Sequence, residues 1–271
     1  MKFQYFRFFV NKINVLFESE NSKSQIIKDE LCKNIIFEHR KQQIGIICKR
    51  IEDEYIFYVI GKRRDTSINL SPQEEFKKET VEDWKTIKMF LTLSDDKDKG
   101  QTIAIEINEN IFSSDLEFLR AWADMINKNL FSTGYSIAIN PITEIIDFWD
   151  LVDKYRSEIT EVDFTFNTPN LFKLKSELNK ELEDAKINFG ANEVGIRLKS
   201  NKNMILDKNN DFLNQSVEYT SKGGGEYKLT VRRKKISSKQ KTKTKNTEIL
   251  DVNLESSNKD LFKSICGDIF K

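Results

Sequence analysis

The chain has 271 residues, 44 Lys and Arg against 43 Asp and Glu, one His and a formal charge of +1, and its 38% apolar residues can fill the core of one large or two small domains. A single histidine, His39, excludes mechanisms that need two, such as HNH or HD nuclease chemistry and multi-histidine zinc sites, and its setting in FEHRKQQ suits a strand edge. Cys32, Cys48 and Cys266 are odd in number, widely spaced and in no paired motif, which argues against a secreted disulfide framework and for the cytoplasm.

The N-terminal stretch from Lys2 to about Phe17 is rich in β-formers, and Gln4, Arg7, Asn11 and Lys12 interrupt it too often for a signal peptide or a membrane span. Ser22 to Lys33 suits a short helix. Gln43 to Arg50 and Tyr55 to Lys62 flank Glu52-Asp53-Glu54 as the arms of a hairpin. Ser71, Pro72 and Glu74 carry a helix-start signature, predicting an acidic bridging helix over 71–85.

From Thr86 the pattern is regular. Ile87 to Leu93 and Thr102 to Ile107 read as strands, and Ser114 with Glu117 caps a helix carrying Leu116, Leu119, Trp122, Ala123, Ile126 and Leu130 at helical spacing up to Gly134. Tyr135 to Asn140 is a strand, Thr143 to Tyr155 a helix, and Glu161 to Phe166 a strand with Val162, Phe164 and Phe166 on one face. Leu171, Leu174, Leu178, Leu182, Ala185 and Phe189 mark an amphipathic helix that starts near Asn170 and ends at Gly190. Glu193 to Leu198, Asp211 to Thr220 and Glu226 to Lys234 complete the series as strand, helix and strand.

These elements predict an α+β protein: a mixed β-sheet with helices packed on it, built as two ferredoxin-like halves or as one layer. The expected organisation is a β-rich region over 1–70, the bridging helix over 71–85, an α+β domain over 86–235, and a flexible basic linker with a short docking helix over 236–271. Leu261, Phe262, Ile265 and Phe270 give that last helix its apolar face.

No cofactor motif is present: there is no phosphate-binding G-x-x-x-x-G-K-[ST] loop, no dinucleotide G-x-G-x-x-G after a strand and no G-x-S-x-G elbow. No metal set and no catalytic residue is predicted. One looser arrangement is Asp207 or Asp211 with Glu226 and Lys228, an Asp…Glu-x-Lys pattern that a metal-dependent nuclease would use to hold a divalent ion and orient water. In a chain rich in Glu and Lys the same pattern also arises by chance, as at Glu75-Phe76-Lys77.

The strongest signal is Tyr227 to Lys245. It holds nine Lys and Arg and no acid, leaving −8 for the rest of a chain of formal charge +1. Lys228, Arg232, Arg233, Lys234, Lys235 and Lys239 form the predicted phosphate-contacting set, with Lys228, Thr230, Arg232 and Lys234 in a row on one strand face. Gly223-Gly224-Gly225 before it suits a helix end and loop, or a close approach to phosphate. Phe164, Phe166 and Phe172 are candidate base-stacking platforms, although their spacing suits a core.

The expectation is a non-enzymatic bacterial protein that binds DNA or RNA through the phosphate backbone, compatible with a mobile-element or anti-phage setting. A protein-interaction module or homo-oligomer is the alternative and a metal-dependent nuclease the lower one. No membrane partner is expected.

Overall fold

The computed structural model describes residues 1–12, 23–93, 101–168, 177–232, 234–237, 242–247, 254 and 257–270. Within them the chain is α+β, organised around two antiparallel sheets.

The large sheet is built from β1 (Lys2–Lys12), β2 (Ile35–His39), β3 (Gln42–Glu52), β4 (Tyr55–Asn69), β5 (Lys78–Thr92), β6 (Thr102–Glu106), β7 (Tyr135–Pro141) and β12 (Thr244–Asn246). Its order is β12-β1-β6-β5-β4-β3-β2, with β7 also paired to β1. One edge of β1 is thus shared by β12 at Lys2 to Gln4 and β7 at Phe6 to Lys12. Alternation along β1 explains its aromatic richness: Phe6, Phe8 and Val10 face one core, Phe3 and Tyr5 the other.

Helices α1 (Lys23–Leu31) and α2 (Asp115–Leu130) cover the first face, burying Ile27, Leu31, Leu119, Trp122 and Ile126. The Ser114 hydroxyl caps α2 by accepting from the Glu117 N–H at 3.3 Å, as its sequence signature predicts. The opposite face holds Phe3, Tyr5, Tyr55, Phe57 and Phe90 under the last helix, α6 (Lys259–Ile269), which contributes Phe262, Cys266 and Ile269. This helix is the docking helix expected from the sequence.

The second sheet has β8 (Ile159–Asn167), β9 (Glu193–Lys199), β10 (Gly225–Val231) and β11 (Lys234–Ser237) in the order β11-β10-β8-β9. Its inner face packs Val162, Phe164, Phe166, Tyr227 and Leu229 with residues of α3 (Ile145–Lys154), α4 (Glu177–Phe189) and α5 (Asp211–Tyr219). The predicted order from Thr86 to Val231 is therefore present element by element. Every strand pair among the described residues is antiparallel, so the mixture of strand directions expected from the sequence is not found.

Two expectations are overturned. The helix predicted over 71–85 is a short 3₁₀ turn at Pro72–Glu74 followed by β5, which pairs with β4 from Tyr55↔Thr92 to Asn69↔Lys78. Ser71 does cap nothing with its side chain, and Glu75 and Phe76 take φ of 56° and 53°, which reverses the chain instead of continuing a helix. The expected flexible linker is overturned in part, because Thr244–Asn246 forms β12 against β1. The turn at Asp95, Asp96 and Asp98, the start of the helix near Asn170, and Phe172 lie outside the described residues.

Candidate nucleic-acid interface

The glycine run is the hinge of the site. Asn210 caps α5 by accepting from the Leu213 N–H at 3.0 Å, and after Tyr219 the chain widens into a five-residue π turn over Thr220–Gly224. The hydroxyl of Thr220 donates to the carbonyl of Ser216 at 2.9 Å and that of Ser221 to the carbonyl of Glu218 at 2.8 Å, satisfying the frayed end. Gly223 has φ of 81°, and a Cβ there would lie 2.6 Å from the Arg7 Cβ. A Cβ on Gly225 would lie 1.9 Å from the Thr165 carbonyl oxygen. Close packing of the turn onto β1 and β8 therefore accounts for these two glycines, as the helix-end reading expects.

That packing brings Ser221 and Lys222 beside β1 at the gap between its two edge partners. The Tyr5 N–H donates to the Lys243 carbonyl at 3.1 Å, the Ile142 N–H donates to the Tyr5 carbonyl at 3.0 Å, and the Thr143 N–H donates to the Ser221 carbonyl at 2.9 Å. A cleft of about 360 Å³ opens there, lined by Arg7, Lys222, Lys243 and Lys245, with Glu144 as its carboxylate. Lys243 Nζ lies 3.5 Å from Glu144, Lys222 Nζ lies 2.8 Å from Glu218, and Lys245 Nζ donates to the Asp268 carbonyl at 2.6 Å. These lysine contacts are partly exposed, so each is weak and open to exchange for an incoming anion. Arg7 and Thr143 are buried walls, and the Thr143 hydroxyl has no hydrogen-bond partner among the described residues.

The set predicted from the sequence is distributed differently. The strand expected to run from Glu226 to Lys234 ends at Val231, because Arg232 takes φ of 46° and the chain turns back into β11, pairing Val231 with Lys234 and Thr230 with Lys235. The row Lys228, Thr230, Arg232 and Lys234 therefore does not form. Lys228 lies 3.0 Å from Glu226 and opposite Asp163, and Arg232 pairs with Glu158. Arg197 completes a mixed-charge outer face, its Nε 2.6 Å from Asp163. Lys234 and Lys235 are exposed on the edge strand β11, with no ion pair among the described residues. Arg233 and Lys239 lie outside the described residues.

The remaining candidates do not converge. Asp207 accepts from the Asn209 N–H at 2.9 Å in a turn, Glu226 lies 3.0 Å from Lys228, and among the described residues no group of three His, Cys, Asp or Glu side chains forms. Phe164 and Phe166 are 1% and 0% exposed, which makes them core and not stacking platforms. His39 ends the edge strand β2, as expected.

Of the four cleft cations, Lys243 and Lys245 belong to the basic run, but none was in the predicted contact set. Arg7 carries the one legible signal, a charge in the most aromatic strand of the chain, on the same alternation as Phe3 and Tyr5. Among the described residues no helix is long and apolar enough to cross a membrane. Comparison with protein-family models gives no match, and comparison with curated proteins gives none either.

Proposed function

We propose that the protein binds the phosphate backbone of DNA or RNA without catalysing its cleavage, holding it at the cleft of Arg7, Lys222, Lys243 and Lys245 and along the exposed Lys234 and Lys235. The observation that supports this reading is the convergence of four cations from three distant parts of the chain on one cleft with a single lining carboxylate. The unpartnered Thr143 hydroxyl adds a donor suited to a phosphate oxygen. Contact through phosphates is largely indifferent to base sequence, and Phe164 and Phe166, buried in the core, are not available to stack on bases.

The test is fluorescence anisotropy with labelled single-stranded DNA, duplex DNA and RNA over a salt series, on the full chain and on two variants. Lys222→Glu/Lys243→Glu/Lys245→Glu abolishes binding, Lys234→Glu/Lys235→Glu weakens it, and log K falls by roughly 0.7 to 0.9 per phosphate contacted for each decade of salt. No binding to any of the three polymers at low salt refutes the proposal.

A second reading, a protein-interaction module, is favoured by the paired arm of β4 and β5. Beyond Gly61 it leaves the buried core, and Ile68, Phe76 and Val81 are exposed on it.

A further inference from the structure

We propose that Cys32 and Cys48 are a reversible disulfide site that fastens the end of α1 to β3. The two residues are separated in a sequence without any paired-cysteine motif, and the fold brings them together: the Cys48 N–H donates to the side chain of Asn34, two residues beyond Cys32, and Tyr58, the strand partner of Cys48, donates to the carbonyl of Leu31, the residue before Cys32, so that the two thiols face each other as hydrogen-bond partners. Both are partly exposed, so an oxidant reaches them, whereas Cys266 is buried on the inner face of α6.

Local geometry holds the pair. Cys32 follows the last turn of α1, its N–H donating to the Lys28 carbonyl at 3.0 Å. The preceding residue is tied down as well, because the buried Tyr58 hydroxyl donates to the Leu31 carbonyl at 3.0 Å, and Tyr58 is the strand partner of Cys48. The pairing of β3 with β4 is irregular immediately after Cys48, where the register shifts before Arg50. Such an irregularity re-aims a side chain from its regular position. On the other edge, β2 pairs with β3 no further than Ile35↔Ile46, and the Cys48 N–H donates instead to the Asn34 Oδ1 at 2.9 Å. Each thiol thus sits on backbone anchored by a named hydrogen bond, and one tyrosine links the two anchors.

The chemistry divides between the two sulfurs. The bond from Cys48, more than any other influence, lowers the Cys32 pKa against the opposing effect of burial, and Lys28 assists. The same bond raises the pKa of Cys48. Cys32 is therefore the sulfur that attacks. With hydrogen peroxide as oxidant, the Cys32 thiolate takes one oxygen to become a sulfenic acid and hydroxide leaves. The Cys48 sulfur then attacks Cys32, the S–O bond breaks and the second oxygen leaves as hydroxide. With the two thiol protons the balance is one disulfide and two waters, each sulfur oxidised by one electron and the peroxide reduced by two. A thiol reductant reverses it by exchange.

The experiment is peptide mapping by mass spectrometry of the full native chain after graded hydrogen peroxide, without reductant. The expected product is a crosslinked pair of peptides containing Cys32 and Cys48, lighter by two hydrogens, formed in the Cys266→Ser variant as in the parent and lost on adding dithiothreitol. Cys48→Ser gives no crosslink and instead a Cys32 sulfenic acid captured by dimedone, and the oxidised parent unfolds at a higher temperature than the reduced one. If Cys32 and Cys48 both alkylate readily in the native chain yet peroxide gives no crosslink, or only crosslinks between chains, the proposal is wrong. If Cys48→Ser unfolds, Cys48→Ala with dimedone capture at Cys32 supplies the same decision.

Discussion

Gly223 and Arg7 meet across the junction of the two sheets, close enough that a single added methyl group at Gly223 would fall 2.6 Å from the Arg7 Cβ. The glycine run and the cleft are therefore one construction, because the turn that needs Gly223 is the turn that delivers Lys222 to Arg7.

This predicts a graded response to alanine. Gly223→Ala combines a clash with β1 and a φ of 81°, and costs about 1–3 kcal/mol. Gly225→Ala is worse, since the group it meets is the Thr165 backbone and cannot rotate away. Gly195→Ala meets nothing within 4 Å and stays within about 0.5 kcal/mol of the parent. Urea midpoints of the three variants check the order, and equal loss at Gly195 and Gly225 would contradict it.

The C-terminal residues are part of the core, as the docking helix read from the sequence expects. Phe262 is fully buried between Phe3, Tyr55 and Phe90 on the outer face of the large sheet, with the Arg50 guanidinium 4.3 Å from its ring centre. Phe262→Ala is expected to cost about 3–5 kcal/mol, and a chain ending at Lys235 to aggregate, because it strips β12 and α6 from two sides of β1. Chemical denaturation and size-exclusion chromatography read the two results. A truncated chain that stays monomeric and fully folded would contradict the packing.

How far the fold could be read in advance follows from where the physics is local. Ser114 caps a helix through its own side chain, and Val162, Phe164 and Phe166 alternate because one face of β8 is buried, so both signals lie in a few adjacent residues. The arm over 62–86 has no such signal. Most of its residues, from 64 to 69 and from 71 to 82, are exposed on both faces, so no alternation marks a strand, and Ser71-Pro72-Glu74 imitates a helix start; pairing with β4 decides the matter. Arg232 misleads for a related reason, since nothing in the type of a non-glycine residue announces a φ of 46°. The cleft was invisible because Arg7, Lys222 and Lys243 are neighbours only in space.

Burial of Asp115 in the first turn of α2 predicts a pH dependence. Removal from water raises its pKa to about 7, against roughly 3.9 in an unfolded chain. Between those values the folded state keeps a proton that the unfolded state has lost, so rising pH removes stability across the window from about 4 to 7 and the loss is complete above it. Asp115→Asn cannot ionise. The variant should gain on the parent as pH rises from 5 to 8, by on the order of 2 kcal/mol, in denaturation midpoints measured at each pH. Parallel profiles would show that Asp115 is not the group responsible.

The arm of β4 and β5 is expected to be dispensable for folding. Its root is pinned where the Trp84 ring lies against Gly61, a Cβ on which would sit 3.0 Å from the ring, and the core contacts of this hairpin start at Ile60 and Ile87. Beyond the root every residue from 65 to 69 and from 71 to 82 is exposed. Exposed strand pairs contribute little each, roughly 0.2–1 kcal/mol, and the hairpin loses loop entropy when it is shortened. Replacing residues 66–81 by Asn-Gly, which suits a two-residue turn between Asp65 and Glu82, should hold the urea midpoint within about 1 kcal/mol of the parent. Retained stability together with retained nucleic-acid binding would reserve the arm for a protein partner. Retained stability with binding lost would make it part of the nucleic-acid surface, and a large fall in the midpoint would show that the arm supports the sheet from which it projects.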